Sequence, residues 1–147
     1  MRIVSVLFAS MLTVTLLAQA PTLKPGQYEL VSVFSVPGAP GGMPPQKIGH
    51  CYTPQELQDL AGSLANRDPK QKCKVHDSKV VGSTLTYTTE CANPDGSKVT
   101  LSGQVNYRSQ DSFHGVVSMK SSRAEGTPFA NGATITIDGK RIGDCAK

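Results

Sequence analysis

The residues of this chain that could carry acid–base, metal or nucleophilic chemistry are few and scattered. The 3 histidines, His50, His76 and His114, stand apart, each beside polar residues in a stretch that reads as β-strand. None shares HxxxH or CxxC spacing with a second ligand, the spacing at which neighbouring side chains converge on one ion. The carboxylates Asp77, Glu90, Asp111 and Asp138 are dispersed over strands and turns, so no general acid–base pair emerges. No Gly-x-Ser-x-Gly elbow, Walker loop or HExxH helix occurs. The most distinctive polar segment is the C-terminal GKRIGDC, where Lys140, Arg141 and Asp144 offer a charged edge. Its simpler reading, and the favoured one, is a glycine-punctuated turn delivering Cys145 to a disulfide. The chain is expected to be non-enzymatic, with no metal and no cofactor.

The N-terminus decides how the cysteines are to be read. MRIVSVLFASMLTVTLLAQA carries one early cation, Arg2, an apolar run from Ile3 to Leu17, and then Ala18-Gln19-Ala20. This is the pattern of a secretory signal peptide ending in a small-x-small cleavage site, so residues 1–20 are expected to be removed and 21–147 to form a single secreted domain. No later segment approaches the roughly 20 apolar residues of a membrane-spanning helix. Loss of Arg2 takes the formal net charge from +4 to +3, which is only mildly basic. The densest basic run, Arg67, Lys70, Lys72 and Lys74, has no interleaved aromatic residue to stack on bases, so nucleic acid is not expected as a partner. In an oxidising compartment His50 beside Cys51 is no thiolate metal site. The 4 cysteines, Cys51, Cys73, Cys91 and Cys145, invite two disulfides among three connectivities.

The elements that position these groups are mostly strands. Cys73 to Val81 and Thr84 to Cys91 flank Gly82-Ser83 and read as a hairpin. A pairing centred on Gly82 sets Cys73 opposite Cys91, Val75 opposite Thr89 and Lys79 opposite Leu85. Directly opposed strand residues lie within disulfide reach, which selects Cys73–Cys91 and leaves Cys51–Cys145. On the apolar face stand Val75, Val81, Leu85 and Tyr87, with Asp77 and Lys79 breaking the alternation. After the turn NPDGS, Val99, Leu101, Gly103, Val105 and Tyr107 alternate with polar residues, and Phe113, Gly115, Val117 and Met119 do the same beyond RSQDS. Pairing Tyr107 with Phe113, Val105 with Gly115, Gly103 with Val117 and Leu101 with Met119 matches apolar to apolar. The stretch ATITID is a last strand, ending in an Asp138-Gly139 turn. Upstream, Gln27 to Val36 and QKIGHCY are strands separated by the loop PGAPGGMPP. TPQELQDLAGSLAN supplies one helix, with Thr53 and Glu56 as a capping box, Pro54 at its first position and an apolar face of Leu57, Leu60, Ala61 and Leu64. The fold class is mainly β: a curled antiparallel sheet or partly open β-barrel of about seven strands, one short helix and two disulfides.

LKPGQYELVSVFSVPG, the Pro/Gly/Met loop, a cysteine just before TPQEL, CKVHDSKVVGSTLTYTTEC and the terminal GKRIGDC together resemble the domain of unknown function 3617 family of small secreted bacterial proteins. The resemblance covers essentially the whole chain beyond the signal segment. It implies an exported Gram-negative envelope protein, periplasmic or secreted, and implies no established activity. Family members often carry several methionines in the early Pro-rich loop, whereas this chain keeps Met43 alone there, which argues against a methionine-type copper site.

Two functional readings follow. In the first, the protein is a periplasmic binding module: Gly103 and Gly115 on the inner sheet face leave a pocket for a small apolar ligand such as a lipid tail, walled by Tyr28, Phe34, Tyr87, Tyr107 and Phe113. The same residues close-packed would instead make an ordinary core. In the second, an envelope interaction or structural protein binds a partner protein through its exposed Thr-rich strand face and its Pro/Gly-rich loop.

Overall fold

The computed structural model describes residues 22–39, 43–66, 72–123, 125–126 and 130–146. The expected signal segment, part of the PGAPGGMPP loop, and Arg67 and Lys70 of the basic run lie outside them.

Period-two alternation becomes one antiparallel sheet of seven strands: β1 (Gly26–Ser35), β2 (Gln46–Tyr52), β3 (Lys72–Val81), β4 (Thr84–Ala92), β5 (Lys98–Ser109), β6 (Ser112–Ser121) and β7 (Ala133–Gly143). Their spatial order is β2-β1-β7-β6-β5-β4-β3, so the sheet stays open with β2 and β3 as its edges. The chain crosses between those edges through two short helices, α1 (Pro54–Gln58) and α2 (Leu60–Ala65), and α2 packs on β3 and β4. The sheet thus buries its inner face by laying the segment that joins its two edges across it.

Where one helix was expected there are two, and Asp59 is the reason. The Thr53–Glu56 capping box starts α1 as anticipated, with Pro54 in its first turn. Asp59 then leaves helical geometry (φ −125°, ψ 65°), and its side chain accepts a hydrogen bond from the Gly62 N–H at 3.0 Å, capping a second helix. A short carboxylate competing for backbone donors is a helix starter rather than a helix interior residue. The break still leaves Leu60 and Ala61 buried, with Leu57 and Leu64 half-buried against the core.

The β5–β6 hairpin has the expected register, Tyr107 opposite Phe113, Val105 opposite Gly115, Gly103 opposite Val117 and Leu101 opposite Met119. The β3–β4 hairpin has Cys73 opposite Cys91 and Val75 opposite Thr89, and the disulfides are Cys73–Cys91 and Cys51–Cys145. Lys79, however, faces Thr86, and the partner of Leu85 is Val80. The turn is a two-residue Gly82-Ser83 loop with Gly82 at φ +59°, which shifts the register by one residue from a pairing centred on Gly82. A β-bulge between Val75 and Asp77 absorbs that shift before the cysteines are reached. Between bulge and turn every side chain therefore changes face. Ser78 and Val80 point inward, Asp77 and Lys79 outward, and Val81, expected on the apolar face, is 62% exposed.

A second correction concerns Asp138-Gly139, which is not a turn. β7 runs unbroken to Gly143, and the GKRIGDC segment is strand for most of its length. Gly139 serves close approach instead: the Phe113 ring lies where a Cβ at 139 would sit. Phe113 in turn meets Tyr28 and Tyr52 in an aromatic cluster, with Tyr28 and Tyr52 edge-on at 5.3 Å between ring centroids. These rings, with Leu30, Leu85, Tyr87, Val105 and Val117, make the core.

Candidate functional site

At the end of the sheet where β1 begins and β3 ends, the inner face is not filled. A cavity of about 400 Å³ opens there between the helices, the residues leading into β1, and β3 to β5. That volume lies within the range of small-molecule sites. Its floor is apolar: Leu23, Leu60, Ala61 and Leu85 are buried, while Leu57 and Tyr107 are half-buried. The rim carries Thr22, Gln58, Asp59 and Ser78, all exposed, together with Val80.

Each wall has a local cause. The leading segment is held at three points: the Lys24 N–H donates to the Gln110 carbonyl at 2.8 Å, the Tyr28 hydroxyl donates to the Lys24 carbonyl at 2.8 Å, and Arg141 Nε donates to the Pro25 carbonyl at 2.9 Å. Arg141 also ion-pairs with Asp144, so the GKRIGDC segment clamps the residues leading into β1. Gly26, at φ +149°, allows this, because a Cβ there would collide with the Arg141 guanidinium. The helix wall is fixed by the break at Asp59. The β3 wall exists because the bulge turns Ser78 and Val80 inward.

Tyr107 is the chemical handle of the floor. Its hydroxyl has no hydrogen-bond partner among the described residues, and burial raises its pKa. Tyr28 is also shifted upward, by burial first and by the Asp111 carboxylate second, but its hydroxyl is already engaged with backbone carbonyls and lies outside the cavity lining.

Of the seven residues expected to wall a pocket, Tyr107 lines the cavity. Tyr28, Tyr87 and Phe113 are close-packed in the core. The space expected over Gly103 is occupied by the Tyr87 ring, and that over Gly115 is bounded by Val105, whose methyl would lie 3.6 Å from an added Cβ. Phe34 is half-buried at the opposite end of β1, across from Ile135. Leu23, Leu57, Leu60, Ala61, Ser78 and Val80 were not anticipated as a site. One signal for them was present, since Asp77 and Lys79 interrupting the apolar alternation of β3 is what a bulge looks like in sequence.

Two of the three histidines are engaged elsewhere, and none lines the cavity. His50 stands 3.1 Å from the Glu56 carboxylate and edge-on to Tyr52, and His114 lies 2.9 Å from Asp138, which also pairs with Arg108 at 3.1 Å. His76 sits exposed at the bulge. No group of three or more His, Cys, Asp or Glu side chains is arranged to hold a metal among the described residues. A second depression, beside the β5–β6 turn, is bordered by Phe113 and by the charged residues Glu29, Arg108, Asp111, Asp138, Lys140 and Arg141, several of them already paired with one another or with neighbours. No helix among the described residues is long and apolar enough to cross a membrane.

Residues 23–145 match the model of a family described as protein of unknown function (DUF3617). No curated protein and no solved structure matches the chain.

Proposed function

The chain belongs to the DUF3617 family, and from that premise we propose that it is an exported, non-enzymatic binding module that holds a small apolar ligand in the cavity beneath its helices. The observation that supports this is an apolar floor left open beside a core that is otherwise filled. Leaving buried Leu and Tyr surface beside an unfilled space forgoes dispersion contacts that close packing would supply, and a bound apolar molecule would restore them. Two disulfides and an N-terminal segment of signal-peptide character support export to an oxidising compartment. The exposed apolar residues of the strands, Val81, Val116 and Ile142 among them, are spread over β3, β6 and β7 and form a weaker case for partner docking.

The test uses an uncharged naphthylamine dye as the apolar probe, titrated into the oxidised mature protein. Dye emission should rise with saturable binding, and Val80→Trp, a bulky side chain placed at the rim on a half-exposed position, should weaken binding at least about tenfold, the equivalent of about 1.4 kcal/mol. Native mass spectrometry of protein taken from its own host should show a mass released on denaturation. Absence of dye binding together with a bare protein would remove the ligand-binding reading.

A further inference from the structure

The chemistry of the cavity's border narrows the ligand class, on the premise that the cavity binds at all. The protein is net basic, with 15 Lys and Arg against 11 Asp and Glu, yet none of the described residues lining the cavity is Lys, Arg or His. The ionisable groups there are Asp59 on the rim and the Tyr107 phenol on the floor. The other polar groups, Thr22, Gln58 and Ser78, are neutral. An anionic head group would meet the Asp59 carboxylate with no cation among the described lining residues, and would lose hydration without a paired charge from that lining in return. An uncharged head group carries neither cost, and Tyr107, which lines the cavity and whose hydroxyl has no partner among the described residues, offers a donor to it.

We propose that the occupant is an uncharged single-chain amphiphile, a fatty ester or fatty alcohol whose oxygen accepts a hydrogen bond from Tyr107, and that Asp59 excludes the corresponding fatty acid anion. The apolar floor takes the chain, and the hydroxyl, amide and phenol groups take the head. Asp59 therefore has two jobs that can be separated. As the cap of α2 it accepts from the Gly62 N–H at 3.0 Å, a role an asparagine side chain also fills. As a negative charge on the rim it discriminates, which asparagine does not.

The experiment displaces the naphthylamine dye from the oxidised protein with dodecyl acetate, dodecanol and dodecanoate, the last at a pH where it is ionised. The two neutral probes should displace the dye, with dodecanoate about fivefold weaker, on the scale of one exposed charge pair. Asp59→Asn should close that gap by improving dodecanoate relative to dodecyl acetate, and circular dichroism will report whether the fold is kept. Tyr107→Phe should weaken dodecyl acetate about fivefold, the scale of one neutral hydrogen bond. Dodecanoate binding as tightly as the ester, or a gap that Asp59→Asn leaves in place, would overturn the proposed selectivity while the cavity still binds. Failure of the dye and of all three probes would overturn the binding reading itself.

Discussion

Thr89 offers the sharpest test of how the core is read. It is fully buried on β4, between its cross-strand partners Val75 on β3 and Leu101 on β5, and its hydroxyl finds no hydrogen-bond partner among the described residues. A hydroxyl taken from water into such surroundings without a partner costs about 1–3 kcal/mol. Thr89→Val keeps the branched shape, suits a strand, and replaces that hydroxyl with a methyl, so it should stabilise the protein by about 1–2 kcal/mol. For a domain of this size that corresponds to a rise in Tm of about 4 °C for each kcal/mol. Thr89→Ser is the control, because it retains the unpaired hydroxyl and deletes the methyl, and should cost about 1 kcal/mol. Urea unfolding of the oxidised protein, followed by far-ultraviolet circular dichroism, measures both, and an unchanged slope confirms that the denatured state has not altered. A Thr89→Val protein that unfolds at lower urea than the parent would show that the hydroxyl is satisfied, and the argument from an unpaired polar group would be wrong.

Other predictions rest on different parts of the fold. Removing Cys51–Cys145, which closes a separation of 94 residues, should cost about 4–5 kcal/mol on the loop-entropy model, against about 3 for Cys73–Cys91 with its separation of 18; paired Cys→Ala variants compared by denaturant unfolding give the order. Gly139→Ala should lose at least about 2 kcal/mol by the same measurement, because the Phe113 ring occupies the place of the new methyl, and a neutral result would mean that the ring moves freely. Glu56 is held below the usual carboxylate range, first by the Thr53 backbone N–H, then by the Thr53 hydroxyl and His50. A lowered folded-state pKa gives stability that is fully present above the unfolded value and lost as pH falls through the folded one. The parent should therefore lose stability on acidification below about pH 4.3 more steeply than Glu56→Gln, and parallel pH profiles of the two would remove the claim.

The seven strands, six of them with boundaries to within a residue or two, the capping box and the β5–β6 register were legible because each depends on neighbours in the chain, whereas β7 runs five residues past the Asp138 end read for it. Alternation at period two selects a half-buried strand, and Asn-Pro-Asp-Gly-Ser or Gly-Ser marks a reversal, whatever lies further away. The disulfide pairing was legible too, although by a route that needed correction. The turn slipped by one residue and the bulge beside His76 returned the cysteines to register. Gly139 shows the opposite case. Its residue type is that of a turn, but a ring 26 positions earlier in the sequence, Phe113, uses the missing side chain, and only the β6–β7 pairing brings the two together.

The cavity belongs wholly to that second kind. Its walls come from residues 22–25, 54–61, 78–85 and 107, segments whose sequences say strand, helix or loop but nothing of one another. Composition and periodicity by themselves determined a disulfide-bonded, mainly antiparallel β domain with an apolar inner face. Tertiary structure alone decided where that face is filled and where it is open, since packing depends on which side chains meet across strands and on which way a bulge turns them. Tyr87 over Gly103 and Phe113 over Gly139 close the middle of the sheet, while Ser78 and Val80, turned inward by one unpaired residue, border the space that remains.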